Sequence, residues 1–318
     1  MDVKSAFLNG FIDEEVYVEQ PIGYEIPGKE HLVYKLKRAL YGLKQAPRAW
    51  YARIDSYFLK KGFIRSSSEP TLYIQHLGND ILIVCLYVDD LIYTGNSPSL
   101  MEKFQAEMKQ EFEMSDLGLM HYFLGVEVQQ QSEGISISQT KYVADLLKRF
   151  RMMSCTAVAT PVALGEKLTK EDASSKVDAT LYRSLVGSLM YLTTTRPDIM
   201  YVVSLISRFM QDPHESHWRA AKRILRYVSG THNFGIHYSP THKFELCGYT
   251  DSDWAGSVDD RKSTSGYIFS LGSGVVSWSS KKQATIALSS AEAEYIAAAA
   301  ASCQAIWIRR ILEDLQLV

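Results

Sequence analysis

Residues 81–96 read ILIVCLYVDDLIYTGN, and the rest of the chain is organised around them. Eight apolar residues run unbroken from Ile81 to Val88. Asp89 and Asp90 then stand side by side, and a second apolar run, Leu91 to Tyr93, leads to Gly95-Asn96. Apolar runs of this length bounded by turn residues read as buried strands. The spacing predicts a hairpin with both carboxylates in its tight turn. Adjacent carboxylates at the end of a buried hairpin repel each other and lose water. A divalent cation relieves both costs, and Mg²⁺ usually takes one or two carboxylates together with substrate phosphates. An ordinary solvated turn also favours Asp, because its side chain bonds the local backbone. The pair alone does not choose between the two.

Working outward, Thr71 to His76 pairs with Ile81 to Leu86 across Leu77-Gly78-Asn79-Asp80. Ser97 to Phe112 has helical spacing, with Ser99 placed to cap it and Glu102 as the reciprocal partner. Pro47 to Gly62 is a second helix, with Trp50, Ile54, Tyr57 and Phe58 on one face and Gly62 as its stop. Short strands are expected at Met1 to Val3, Tyr17 to Gln20 and Leu32 to Leu36. Further on, strands at Phe123 to Gln129 and Ile135 to Ser138 precede a helix at Lys141 to Phe150. Thr160-Pro161 and the polar run Thr169 to Asp178 read as a connector. Helices follow at 181–195, 198–210 and 217–230, then strands at 244–249, 267–270 and 275–278, then a long helix at 291–315.

The chain has 318 residues, 46% hydrophobic and 22% charged, enough for about two domains with real cores. A net charge of −2 excludes a global basic field. Charge is uneven, however: Lys29 to Arg65 holds ten Lys and Arg but only Glu30 and Asp55 as acids. Such a zone is either a phosphate-binding surface or a solvated helical face. Cys85, Cys155, Cys247 and Cys303 form no C-x-x-C pair and read as free thiols of a reducing compartment. No signal peptide is visible, and no apolar run approaches about 18 residues. The expected location is cytoplasmic or nuclear, with no membrane partner and no secretion. His214 and His217 lack a third ligand and are expected at the surface.

Separated blocks add a resemblance. MDVKSAFLNG at 1–10, LYGLKQAPRAWY at 40–51 and YVDD at 87–90 resemble, in order and spacing, the reverse transcriptase of copia-type LTR retrotransposons. The similarity continues through SDLGLMHYFLGVEV at 115–128 and RPDIMYVVSLISRFM at 196–210. It ends in TDSDWAGSVDDRKSTSGY at 250–267 and LSSAEAEYIA at 288–297, which resemble the RNase H domain of the same Pol polyprotein.

The resemblance implies an α+β chain. A palm-like antiparallel sheet with helices would occupy 1–150, a helical thumb or connection region 151–243, and a truncated RNase H-like domain 244–318. The implied function is RNA-directed DNA synthesis coupled to degradation of the RNA strand. Asp2, Asp89 and Asp90 would hold two Mg²⁺ or Mn²⁺ ions for in-line nucleotidyl transfer, with Asp2 and Asp89 bridging them. Phe7 would exclude the ribose 2′-hydroxyl; its bland alternative is a core aromatic. Gly42 would let the backbone approach the incoming base pair. Lys44, Gln45 and Arg48 would contact nucleotide and template, and the zone from Lys35 to Arg65 would carry template-primer affinity. The implied partners are RNA template, DNA primer, deoxynucleoside triphosphates, RNA–DNA hybrid and other parts of the Pol or Gag polyprotein.

In the RNase H-like part, Asp251 at a strand end and one glutamate would hold a second pair of metal ions. Ser289 precedes Glu292 at capping-box spacing, which makes Glu292 a helix-start residue. Glu294 lies about 200° round the helix from it and matches the family's Ala-Glu pattern, so Glu294 is chosen. Asp253 is a third candidate. The family pattern also places a strand before Asp2 and further acids after the long helix. The chain opens at Met1 and stops at Val318, and Asp314 sits on the helix itself. The expectation is a fragment with an incompetent nuclease and a crippled polymerase. Two rivals remain: an inactive relic that at most binds nucleic acid, and a palm-fold nucleotidyl cyclase. The second block and the RNase H-like motifs argue against the cyclase.

Overall fold

In the computed structural model, residues 81–96 form two adjacent strands of a six-stranded antiparallel sheet. The structure describes residues 1–163, 165–241 and 244–317; the expected domain limits at 243 and 318 lie outside the described residues. The chain divides into two compact units. One is Met1–Leu119 with the chain from Arg309 onward, and the other is Met120–Ile308.

The first unit contains strands β1 (Asp2–Val3), β2 (Tyr17–Val18), β3 (Tyr34–Lys35), β4 (Ile64–Arg65), β5 (Leu72–Leu77), β6 (Asp80–Tyr87), β7 (Asp90–Gly95) and β8 (Met114–Ser115). Its helices are α1 (Ala46–Lys60) and α2 (Pro98–Glu111). The main sheet runs β4-β5-β6-β7-β1-β8, and β2 pairs β3 separately. The strand β6 differs from the fully buried run expected. Leu82, Val84 and Leu86 are buried, whereas Ile81, Ile83 and Cys85 are half-buried. An antiparallel sheet needs only one face against a core, so alternate residues face it. That face packs on Trp50, Ile54, Tyr57 and Phe58 of α1 and on Leu100, Phe104 and Met108 of α2. Phe58 lies 4.7 Å from Tyr73 and 5.2 Å from Phe63, ring centre to ring centre. Each such side chain removed from water contributes about 1.5–3 kcal/mol.

Two local expectations are corrected here. The turn between β5 and β6 is only Gly78-Asn79, since Leu77 pairs with Asp80. The cap of α2 is Ser97, not Ser99, and it makes no side-chain cap bond. Pro98 occupies the first helical position, where its fixed φ starts the helix without help. Glu102 therefore has no capping role, and the Ser97 and Ser99 hydroxyls bond each other at 3.2 Å.

The second unit contains β9 (Tyr122–Phe123), β10 (Val126–Gln131), β11 (Gly134–Ser138), α3 (Thr140–Arg149), α4 (Ala179–Leu192), α5 (Met200–Ile206) and α6 (Glu215–Gly230). Then come β12 (Gly235–Tyr238), β13 (Leu246–Ser252), β14 (Thr264–Leu271), β15 (Gly274–Lys282) and α7 (Ser290–Asp314), whose last turns belong to the first unit. The sheets run β12-β11-β10-β9 and β13-β14-β15, all antiparallel. Four helices, α3 to α6, bury one core from Val143 to Val228. Asp178 caps α4 by accepting from Thr180 N at 2.7 Å and Leu181 N at 3.2 Å.

His214 and His217 are buried, not surface residues, at 7% and 0% exposure. The His217 ring stacks on Phe209 at 4.0 Å and bonds the Thr169 carbonyl at 2.9 Å. This bond also ties down the connector. Thr169 to Asp178 is strapped to the start of α6 through Asp172–Ser216, Ser175–Glu215 and Lys176–Asp212. A second buried polar group is Arg196, 1% exposed, which donates to Asp198, to the Thr231 carbonyl and to the Thr231 hydroxyl. Among the described residues, no helix is long and apolar enough to cross a membrane.

Candidate active site

The site is assembled from the β6–β7 turn and the strand beside it. Tyr87 pairs with Asp90, so the turn is only Val88-Asp89, and Val88 holds φ at +55°. A β-branched residue resists that conformation, and neighbouring structure must hold it there. Trp50 supplies the hold. Its indole N–H donates to the Val88 carbonyl at 2.6 Å, while its ring meets Phe112 edge-on at 5.4 Å.

The strand β1 lies against β7 with Asp2 directly opposite Asp90. Val3 N donates to the Asp89 carbonyl at 2.8 Å, and Leu91 N to the Met1 carbonyl at 2.8 Å. Opposed residues in an antiparallel pair share a face. Met1, Val3 and Leu91 are buried, so Asp2 and Asp90 project from the face away from the core. Asp89 sits in the adjoining turn, and the Tyr41 hydroxyl approaches its Oδ2 at 3.5 Å. Among the described residues, no Lys or Arg forms an ion pair with any of the three acids. Asp90 registers this. Burial, then the negative charges of Asp89 and Asp2, push its carboxyl above the usual range. The carboxylates of Asp2, Asp89 and Asp90 are hard oxygen donors, the kind that Mg²⁺ or Mn²⁺ takes. No group of three His, Cys, Asp or Glu among the described residues stands as a ready-made metal site.

Phe7 is half-buried at the rim, where the core and the site meet. Its ring lies 4.4 Å from Tyr41, tilted by 49°. Tyr41 is the residue that sequence reasoning missed, although it lies in the 40–51 block. Gly42 holds φ at +91° with open space where a Cβ would go, so backbone conformation rather than crowding requires glycine there. Gly10 is the opposite case: a Cβ would come within 2.7 Å of the Ala49 backbone, where the first turn crosses α1.

Lys44 and Arg48 are exposed and form no ion pair among the described residues, and Gln45 precedes α1 with no side-chain cap bond. Much of the surrounding basic zone is not free. Glu15 pairs with Lys35, Glu111 with Arg53, Glu107 with Lys61, and Asp55 with Arg65. Three of those acids come from outside the 29–65 window, so the sequence count overstated the local positive charge.

In the second unit, Asp251 lies one residue before the end of β13, exposed and opposite Gly266. Ser252 N donates to Glu294 Oε1 at 3.3 Å, which brings Glu294 beside that strand end. Glu292 instead caps α7. Its carboxylate accepts from Leu288 N at 2.7 Å, and its own N–H donates to Ser289 Oγ at 3.1 Å. Asp253 Oδ1 accepts from Thr264 N at 2.9 Å and Gly256 N at 3.3 Å, so it shapes the following loop. A cleft of about 520 Å³ opens beside Asp251, walled by Tyr201, Tyr249, Tyr267 and Trp278.

Residues 1–164 match the family model described as reverse transcriptase (RNA-dependent DNA polymerase). The chain is 44% identical over 315 residues to the retrovirus-related Pol polyprotein from transposon RE1 of Arabidopsis thaliana, covering 99% of this chain and 22% of that protein. It is 42% identical to the Pol polyprotein from transposon TNT 1-94 of Nicotiana tabacum, covering 100% of this chain and 24% of that protein. It is 36% identical to the putative transposon Ty5-1 protein of Saccharomyces cerevisiae, covering 94% of this chain and 98% of that one. The chain thus spans less than a quarter of the length of the two plant polyproteins. With Asp2 set against Asp90 beside the Val88-Asp89 turn, and with relatives of this kind along nearly its whole length, the chain belongs to the reverse transcriptase (RNA-dependent DNA polymerase) family of copia-type retrotransposon Pol polyproteins.

Proposed function

We propose that this chain is the polymerase core of an RNA-directed DNA polymerase, with Asp2, Asp89 and Asp90 as its catalytic acids. The observation that carries the reading is the register of β1 on β7, which sets Asp2 against Asp90 across 88 residues of chain. Asp2 and Asp89 would hold both divalent ions, with Asp90 as the third ligand. When bound, such ions lower the pKa of an attacking hydroxyl and neutralise the leaving oxygens. The protein does the rest by placement. Trp50 holds the acid-bearing turn, and the Phe7 ring backed by Tyr41 excludes the ribose 2′-hydroxyl. Lys44, Gln45 and Arg48 bind nucleotide phosphates and the template.

A second activity is proposed for the other unit: cleavage of the RNA strand of an RNA–DNA hybrid at Asp251 and Glu294. The approach of Glu294 to the end of β13 supports it. The regions 1–150, 151–243 and 244–318 would then serve as palm, thumb or connection, and RNase H-like domain. Work inside a particle in the cytoplasm or in the nucleus, beside other Pol and Gag segments, fits these roles.

The test is primer extension on an RNA template by residues 1–318 with Mg²⁺ or Mn²⁺, beside Asp89→Asn. Metal-dependent extension lost in Asp89→Asn is the expected result. Nucleic-acid binding without extension at any metal concentration would leave the inactive-relic reading in its place.

A further inference from the structure

Behind the end of β13 lies a buried amide to which nothing above gives a role. Gln283 directly follows the last residue of β15 and is only 6% exposed. Its backbone N–H donates to the Ser263 carbonyl at 2.8 Å, so its place beside the start of β14 is fixed. The side chain then reaches three partners at once. Gln283 Nε2 donates to Ser265 Oγ at 2.8 Å, to the Ala293 carbonyl at 2.9 Å and to Ser252 Oγ at 3.2 Å. An amide nitrogen has two hydrogens, so the longest contact is a shared one. The Ala293 carbonyl can only accept, which sets the amide with its nitrogen toward α7. Gln283 Oε1 is left buried with no hydrogen-bond partner among the described residues.

Each partner adjoins the candidate site around Asp251 and Glu294. Ser252 directly follows Asp251, and Ser265 stands opposite Ser252 in the β13–β14 ladder. Ala293 is fully buried and directly precedes Glu294. Its carbonyl lies in the same peptide plane as the Glu294 N–H. One amide thus ties the strand that carries Asp251 to the helical turn that carries Glu294, and it bonds neither carboxylate. The direct bond between the two sides, Ser252 N to Glu294 Oε1, is long at 3.3 Å. Glu292 and Ser289 close the start of α7 on itself rather than onto the sheet. An orphaned buried oxygen is destabilising, and an apolar side chain of similar size would avoid it. Stability alone therefore disfavours glutamine at this place. Holding two carboxylates at a fixed separation favours it, because such a pair works only within about 0.5 Å of its productive geometry.

We propose that Gln283 is a positioning residue for the candidate RNA-cleaving site, locking the first turns of α7 onto the end of β13 so that Glu294 is held beside Asp251. The proposal rests on the reading of Asp251 and Glu294 given above and adds a residue to it.

The experiment compares residues 1–318 with Gln283→Met, Gln304→Met and Asp251→Asn on a labelled RNA–DNA hybrid in Mg²⁺ or Mn²⁺, with hydrogen exchange read by mass spectrometry beside it. Gln304 is the control. Its Nε2 also donates from α7 to the sheet, to Ser277 Oγ at 3.1 Å, but about three turns beyond Glu294. Misplacing a reacting group by about 1 Å costs up to about a hundredfold in rate. Gln283→Met should lower kcat about 10- to 100-fold and leave KM for the hybrid unchanged. Segments 249–253 and 291–297 should exchange faster in that variant. Gln304→Met should keep both the unaltered kcat and the unaltered exchange in those segments. If Gln283→Met cleaves at the unaltered kcat while Asp251→Asn does not cleave, the positioning role falls and the RNA-cleavage reading stands. Unaltered exchange at 291–297 in Gln283→Met would likewise overturn the proposal, since the helix would not be locked by this amide. Equal loss of kcat in Gln304→Met would mark a general loosening of α7 and overturn it too. If the unaltered chain cleaves no hybrid, the RNA-cleavage reading and the positioning role fall together. Should Gln283→Met fail to fold, Ser252→Ala/Ser265→Ala removes two of the three bonds from the strand side. That variant should lower kcat at constant KM, and an unchanged kcat would overturn the proposal.

Discussion

Replacing Trp50 by Phe tests how the acid-bearing turn is held. The indole N–H is the donor to the Val88 carbonyl at 2.6 Å, and Phe offers none. Leaving a partly buried carbonyl unsatisfied costs about 1–2 kcal/mol. The smaller ring leaves unfilled volume at a site only 2% exposed, which costs about 1–2 kcal/mol more. The edge-on contact with Phe112 survives in part. The total is about 2–4 kcal/mol, and Val88, in a conformation it disfavours, is then free to relax. Hydrogen exchange read by mass spectrometry locates the effect. Amides of β6 and β7 should exchange roughly 30- to 700-fold faster, at 1.4 kcal/mol per decade. Amides of β13 to β15, in the other unit, should be unchanged. Exchange in β6 and β7 within threefold of the unaltered chain would refute the idea that Trp50 holds the turn.

The carboxyl of Asp90 is raised above its ordinary pKa of about 3.9. Its ionisation therefore costs stability, a cost absent below about pH 4 and growing as pH rises through the folded value. Asp90→Asn should raise the melting temperature at pH 7 and lose that advantage near pH 3, while abolishing extension. Arg196→Ala should cost about 3–5 kcal/mol in urea unfolding, because it leaves Asp198 half-buried without its cation. Burial raises the Asp198 carboxyl, but Arg196 overrides this and holds it below the usual range. The pair's contribution should thus persist above pH 4 and fade as the solution is acidified further. Phe7→Ala should admit ribonucleotides in competitive incorporation, a loss of discrimination of about 1–3 kcal/mol or more; unchanged selectivity would return Phe7 to a packing role. Glu292→Ala should cost about 1 kcal/mol of stability through the lost cap, whereas Glu294→Gln should spare stability and remove metal-dependent RNA cleavage.

Local pattern carried much of this protein. The 3.6-residue spacing of Trp50, Ile54, Tyr57 and Phe58 marked α1, and the apolar run before Asp89-Asp90 marked the hairpin. Ser289 and Glu292 announced the start of α7, which left Glu294 as the glutamate to watch. The motif blocks carried the family. These signals are legible because each involves residues within one or two turns of one another. What the sequence could not settle was which distant residues meet. The motif blocks implied that Asp2 joins Asp89 and Asp90, but not the register that sets it opposite Asp90, nor that an indole in α1 grips the Val88 carbonyl. The charge of the 29–65 zone depended on Glu15, Glu107 and Glu111 folding back onto it. His214 and His217 read as surface residues because no third ligand accompanied them; both are buried, with the His217 ring stacked on Phe209 and bonded to the Thr169 carbonyl. Spacing along a strand or helix sets which face a side chain takes, but only packing between elements decides what stands across from it.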